Sequence, residues 1–168
     1  MMATIFPVAM RSRRRAMVLG GFLLFAVAGL VRAENPTPYP GTQTVSSPHS
    51  FDVLVQRLER AIADRKMGLV AQASASKGAA GRGVKIPGNA VLMVFRNDFA
   101  VRMLEASVAA GIEAPLRLYV TENADGTARV TYRSPGATFA PYGNGKLDAL
   151  ARELDPILKG IVADAVAK

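Results

Sequence analysis

The chain has 168 residues, with 21 basic and 13 acidic side chains, one histidine, no tryptophan and no cysteine. The missing cysteine excludes disulfides, thiolate metal sites, a cysteine nucleophile, c-type haem attachment and a lipid-carrying cysteine. The formal charge of +8 falls to +3 (16 basic, 13 acidic) once the five arginines of the first 33 residues are set aside, so nucleic acid is not an expected partner.

Arg11, Arg13, Arg14 and Arg15 precede an uncharged apolar run from Ala16 to Leu30, and Val31-Arg32-Ala33 then gives way to Glu34-Asn35-Pro36. That order reads as a cleavable signal peptide over residues 1–33. The apolar run is shorter than the roughly twenty residues a spanning helix needs. Membrane contact is therefore expected only through this leader before cleavage, and the protein is expected to be periplasmic or secreted. Ser12-Arg13-Arg14-Arg15 is similar to the start of a twin-arginine signal, but Ala16 and Val18 stand where Phe and Lys are preferred. The export route stays open.

Residues 34–41 carry Pro36, Pro38 and Pro40 and read as an extended spacer. Residues 42–168 read as a single domain. Thr42–Ser47 is a short strand, and Ser50 is placed to cap a helix bearing Phe51, Leu54, Val55, Leu58 and Ile62 on one stripe, with Gly68 to end it. Leu69–Ser76 alternates as a half-buried strand with small inward residues. Lys77–Asn89, with four glycines and Pro87, reads as a flexible loop or broken helical turn. Ala90–Phe95 is apolar throughout, as expected of a strand covered on both sides.

Asn97-Asp98 is expected to cap a helix through Ala110, stopped by Gly111. Leu116, Leu118 and Val120 then alternate with polar residues, as do Ala128, Val130 and Tyr132 after the Asp125-Gly126 turn signal, which predicts a hairpin. Ser134–Gly145 reads as a connection. The last helix carries Leu147, Leu150, Leu154, Ile157, Leu158, Ile161 and Ala165 on one stripe, with Pro156 expected to kink or restart it. Greasy helix faces and half-greasy strands predict an α+β fold: a two-layer sandwich, a mainly antiparallel sheet with helices packed on one face.

From about Thr44 to Pro135 the chain resembles the bacterial family known as domain of unknown function 302. The residues that carry the likeness are Ser50-Phe51, the helix and strand spanning Arg57 to Ser76, Val94-Phe95-Arg96-Asn97, Phe99–Ala110, Pro115–Val120, and Gly126 before Val130-Thr131-Tyr132. The resemblance implies a compact α+β domain that self-associates, as an expected homodimer, and it supplies no catalytic set.

Three groups of residues invite a functional reading. His49 beside Ser50 suggests a small periplasmic hydrolase, although helix capping accounts for the same residues. A single histidine cannot build a zinc site of three or four ligands. Copper held by His49 with Met67, Met93 or Met103 competes with core packing of the methionines. No metal and no cofactor are therefore expected. Arg82 and Lys85 lie among Gly78, Gly81 and Gly83, where backbone amides and two cations suit an anion, but the spacing is not a P-loop. Finally, Arg117, Tyr119, Thr121, Arg129, Thr131 and Arg133 share one side of the hairpin. That side suits a small anionic ligand or a protein partner, and it lacks the stacked aromatic pair of RNA-binding sheets. The expected role is an exported, non-enzymatic binding or interaction domain, with the hydrolase and an assembly protein acting through the arginine-bearing face as alternatives.

Overall fold

A computed structural model describes residues 39–168 of the chain. The leader over 1–33 and most of the proline-rich spacer lie outside the described residues. The element order is β1 (Thr42–Ser47), α1 (Phe51–Asp64), β2 (Gly68–Ala73), α2 (Ala75–Ala80), β3 (Asn89–Phe95) and α3 (Asn97–Ala106). A 3-10 turn (Val108–Glu113), β4 (Leu116–Glu122), β5 (Ala128–Arg133), α4 (Pro135–Phe139), a second 3-10 turn (Ala140–Tyr142) and α5 (Gly145–Val166) complete it. The strands form one sheet in the order β1-β5-β4-β3-β2, every neighbouring pair antiparallel. The architecture is the expected two-layer α+β sandwich.

The layers meet through strand residues of one parity. Ala90, Leu92, Val94, Leu118, Val120, Ala128 and Val130 are buried, and so are Leu54, Leu58 and Ile62 of α1 and Leu147, Leu158 and Ile161 of α5. Each helix places its stripe toward the sheet because apolar residues at spacings of three and four fall on one side. The hairpin turns at Asn123–Thr127, where Gly126 adopts φ 82° and its amide donates to the Asn123 carbonyl (3.1 Å). A left-handed residue is needed there, and glycine takes that conformation without a Cβ penalty. No helix among the described residues is long and apolar enough to cross a membrane.

Several local expectations are corrected. The Ser50 side chain makes no capping bond. Helix α1 ends at a left-handed Lys66 (φ 56°), and Gly68 instead opens β2. That strand stops at Ala73, because Ser74 caps α2 by accepting from the Lys77 amide (3.1 Å). It is exposed on both sides, where half-burial was expected. Strand β3 is covered on one side only, with Val91, Met93 and Phe95 half-buried on the other. The helix expected to reach Ala110 breaks at Ser107, whose backbone is extended, and Gly111 falls inside the 3-10 turn that follows. Arg96, rather than Asn97 or Asp98, occupies the N-cap position of α3. Within the expected connection, Ser134 caps α4 through the Ala137 amide, with Pro135 in the first turn, where its missing N–H costs nothing.

Helix α5 runs continuously past Pro156. Pro156 lies on the exposed side, so water can satisfy the carbonyl one turn earlier that loses its partner. Asp155 beside it accepts from the Gly136 amide (3.0 Å), tying α5 to the start of α4. The other end of α5 is held by Arg57 of α1. Its Nε donates to the Ala165 carbonyl (2.7 Å) and its Nη2 to those of Asp164 (3.1 Å) and Ala167 (2.8 Å). A guanidinium there satisfies carbonyls that lack intrahelical partners and complements the negative end of the helix dipole. Arg57→Ala is expected to cost about 2 kcal/mol of unfolding free energy in urea titration. Arg57→Lys should recover only part of it, because one ammonium cannot reproduce the fork.

Candidate binding face of the sheet

The register assigns every outward strand residue to a cross-strand row. Ala73, Val91, Tyr119, Thr131 and Thr44 form the middle row. Asn89, Thr121, Arg129 and Ser46 form the row on one side of it. On the other side, Met93 pairs with Arg117 and Arg133 with Thr42, and the Leu118–Tyr132 pairing carries Arg117 opposite Arg133. None of these outward residues is buried, and none is acidic. The face is divided: β2 and β3 present alanine, valine and methionine apart from Asn89 at one end, whereas β4, β5 and β1 present guanidinium and hydroxyl groups.

Two arginines opposite each other repel, as like charges on adjacent strands do. Arg117 has no hydrogen-bonding or ionic partner among the described residues, whereas Arg133 is partly engaged. Its Nη2 donates to the Ala137 carbonyl (3.0 Å), and its buried Nε has no partner among the described residues. Arg129 donates from Nε to Thr121 Oγ1 (3.3 Å), and the Thr44 and Thr131 hydroxyls share a hydrogen bond (2.9 Å). Tyr119 is 43% exposed. Arg117, Tyr119, Arg129 and Arg133 thus lie on one face, as the alternation predicts.

Arg82 and Lys85 do not join them through any hydrogen bond or ion pair among the described residues. Their segment meets the sheet at the Thr121 end, where the Gly88 amide donates to Glu122 Oε2 (2.7 Å) and the Glu122 amide to the Gly88 carbonyl (2.8 Å). Arg117 sits four residues back along β4, about 13 Å away at the usual strand rise. The glycine-rich cations are therefore a separate candidate from Arg117 and Arg133, but their segment joins the sheet at the end where Arg129 pairs with Thr121.

His49 has a structural partner. Its Nε2 donates to the Ala167 carbonyl (2.7 Å), next to the Arg57 contacts at the end of α5, and its own amide donates to Ser47 Oγ (3.1 Å). Met67 and Met103 are buried under the helical layer while Met93 faces outward, so the sheet separates them. Among the described residues no three histidine or carboxylate side chains converge. Between β3, α3 and α5 lies an apolar cleft of about 30 Å³ bordered by Met67, Phe99, Met103, Leu116 and Leu154. That is room for a water or two at most.

Two exposed features were missed from the sequence. The apolar half of the open face was read as covered, because an uninterrupted run such as Ala90–Phe95 carries no sign of which side lacks a layer. Beside the cleft, Arg96 stacks 4.0 Å over the Phe99 ring and pairs with Asp98 (2.8 Å), holding that carboxyl below its ordinary range. Arg102 grips Glu153 of α5 with two bonds (2.6 and 2.8 Å) and depresses its carboxyl in the same way. The spacing of Arg96, Phe99 and Arg102 on one helix was the available signal.

The family described as Domain of unknown function DUF302 matches residues 43–165. A structure described as the crystal structure of uncharacterized conserved protein DUF302 from Bacillus stearothermophilus is similar, with a TM-score of 0.67 at 19% identity. The likeness covers 77% of this chain and 100% of that one, and at this identity it bears on the fold alone. No curated protein matches.

Proposed function

Because this chain belongs to the DUF302 family of domains of unknown function, we propose its role from the open sheet face: an exported, non-enzymatic interaction domain that binds an acidic partner there. One observation carries the reading. Arg117, Arg129 and Arg133 stand on a face with no acidic residue, and the Leu118–Tyr132 register continued by one residue sets Arg117 opposite Arg133. An anion between Arg117 and Arg133 would convert their repulsion into two charge-assisted bonds. The surroundings suit a protein partner: arginine, tyrosine and methionine are enriched in interface cores, whereas lysine, aspartate and glutamate are depleted. A broad sheet face also offers no concave pocket of the kind small molecules use. The leader sequence supports placing the partner outside the cytoplasm.

Retention on immobilised polyglutamate, read as the salt needed for elution, tests this. Arg117→Ala and Arg129→Ala should each weaken binding about tenfold at low salt, the worth of one charge-assisted contact. Arg60→Ala removes an equal charge from the exposed side of α1 and should change little. Equal losses in all three variants would reduce the effect to net charge and remove the face from consideration.

A further inference from the structure

We propose that the loop between α2 and β3 is a membrane-contact site, which seats the domain on a lipid surface with anionic headgroups. Between Asp64 and Asp98 the chain has no acidic residue, yet it carries Arg65, Lys66, Lys77, Arg82, Lys85 and Arg96. Arg65 and Arg96 are paired with Asp164 and Asp98. Lys66, Lys77, Arg82 and Lys85 make no ion pair among the described residues. Every residue from Gly81 to Pro87 is exposed, and beside the cations stand Val84 at 50% and Ile86 at 40%. Both ends of the loop are anchored. The Val84 amide donates to the Ala79 carbonyl and the Gly83 amide to that of Ala80 (both 3.0 Å), while Gly88 exchanges two bonds with Glu122. The exposed cations and aliphatic groups between these anchors therefore have a fixed base.

This mixture of groups identifies lipid as the occupant. A bilayer surface attracts clustered cations through its anionic headgroups, and it accepts aliphatic side chains at the boundary with the acyl chains. Lysine can keep its ammonium among the headgroups while its stem lies along that boundary. A protein partner fits less well, because lysine is depleted in protein interfaces. Three of the four unpaired cations here are lysines, whereas the cations of the open sheet face are all arginines. The exposed apolar surface continues along β2 through Leu69 and Val70, toward Lys66. β2 is an edge strand whose outer amides must stay hydrated, so the contact reaches headgroup depth and no further. Glu122 and Asp125, at the same end of the sheet, are already hydrogen-bonded, the first to the Gly88 amide (2.7 Å) and the second to the amide and hydroxyl of Thr127 (3.0 and 2.6 Å). The contact is additional to the one expected of the leader before cleavage, and separate from the acidic partner at the arginine face.

Co-sedimentation with vesicles tests this. The wild-type protein should pellet with phosphatidylcholine vesicles that contain phosphatidylglycerol, and stay in solution with phosphatidylcholine alone. Arg82→Gln combined with Lys85→Gln should weaken binding about thirtyfold, as expected for two cations at a charged lipid surface. Arg60→Gln with Lys159→Gln removes the same charge from exposed helical positions and should change binding by at most about threefold, because charges held away from the surface are screened. Val84→Asn with Ile86→Asn should weaken vesicle binding about tenfold, through lost apolar burial, and leave retention on polyglutamate unchanged. The chain has no tryptophan, so Val84→Trp supplies the only one. Its emission should shift to shorter wavelength when the anionic vesicles are added, whereas that of Thr131→Trp on the open face should not. A wild type that ignores anionic vesicles, equal losses in the two charge-deleted pairs, or undiminished vesicle binding without Val84 and Ile86 would overturn the proposal. So would loss of polyglutamate retention in the Val84 and Ile86 variant, which would assign the loop to a protein partner.

Discussion

Leu118→Ala is expected to lower the unfolding free energy by about 4 kcal/mol, the range for truncating a fully buried leucine that its surroundings cannot refill. Leu118 sits near the middle of the sheet, paired with Leu92 on one side and Tyr132 on the other, and has no exposed surface. Helix α1 packs over β4, so the missing methyl groups leave a cavity between two rigid layers. In urea the midpoint should fall by about 2 M. Tyr119 provides the control. It is the next residue along the chain but points to the open face, and Tyr119→Ala should stay within about 0.5 kcal/mol of wild type. Comparable losses at both positions would mean that β4 is covered on both sides.

Gly88→Ala should cost about 2 kcal/mol for the opposite reason, too little room. A Cβ at this position would lie 2.6, 2.7 and 3.1 Å from three atoms of the Phe51 ring. Phe51 opens α1 and is part of the core, so the ring cannot swing into solvent without losing burial. The Gly88 backbone cannot withdraw freely either, since its amide and carbonyl both bond to Glu122. Thermal unfolding followed by circular dichroism should report the loss. Combining the variant with Phe51→Leu should restore part of it, because the smaller side chain vacates the contact. No recovery in the double variant would place the cost elsewhere.

The elements whose periodicity was strong were legible in the sequence, and their boundaries were close. The stripe of Phe51, Leu54, Val55, Leu58 and Ile62 is buried as read, and Leu118, Val120, Ala128, Val130 and Tyr132 point inward on strands that end near their expected limits. Failures gathered where one backbone angle decides the outcome. Lys66 takes the left-handed conformation two residues before the glycine suited to it, and an extended Ser107 divides a continuous helical pattern. Residue types weigh only weakly on such choices, which tertiary packing settles. β2 and β3 were misjudged for another reason. Alternating Leu69, Ala71 and Ala73 indicates that two sides differ, but not that a layer covers one of them.

The same limit shaped the reading of the candidate sites. Alternation placed Arg117, Tyr119, Arg129 and Arg133 on one side, and counting outward from the Asp125-Gly126 turn would also have set Arg117 against Arg133. Arg82 and Lys85 could not be related to them from sequence, since that depends on which end of the sheet β3 enters. His49 looked reactive only while the end of α5, 118 residues away in the chain, was out of sight.

The central claim is that the sheet has one covered side and one open side. Thiol reactivity of single-cysteine variants tests it most directly, at Val91 and Thr131 on the open side and at Leu92 and Val130 beneath the helices. In the folded protein the first two, half-buried but open to water, should react with a water-soluble thiol reagent within about tenfold of their rate in urea, while the second two should be slowed at least a thousandfold, roughly the protection a core position receives when reaction requires opening. Slow reaction at Val91 and Thr131, or fast reaction at Leu92 and Val130, would contradict the account.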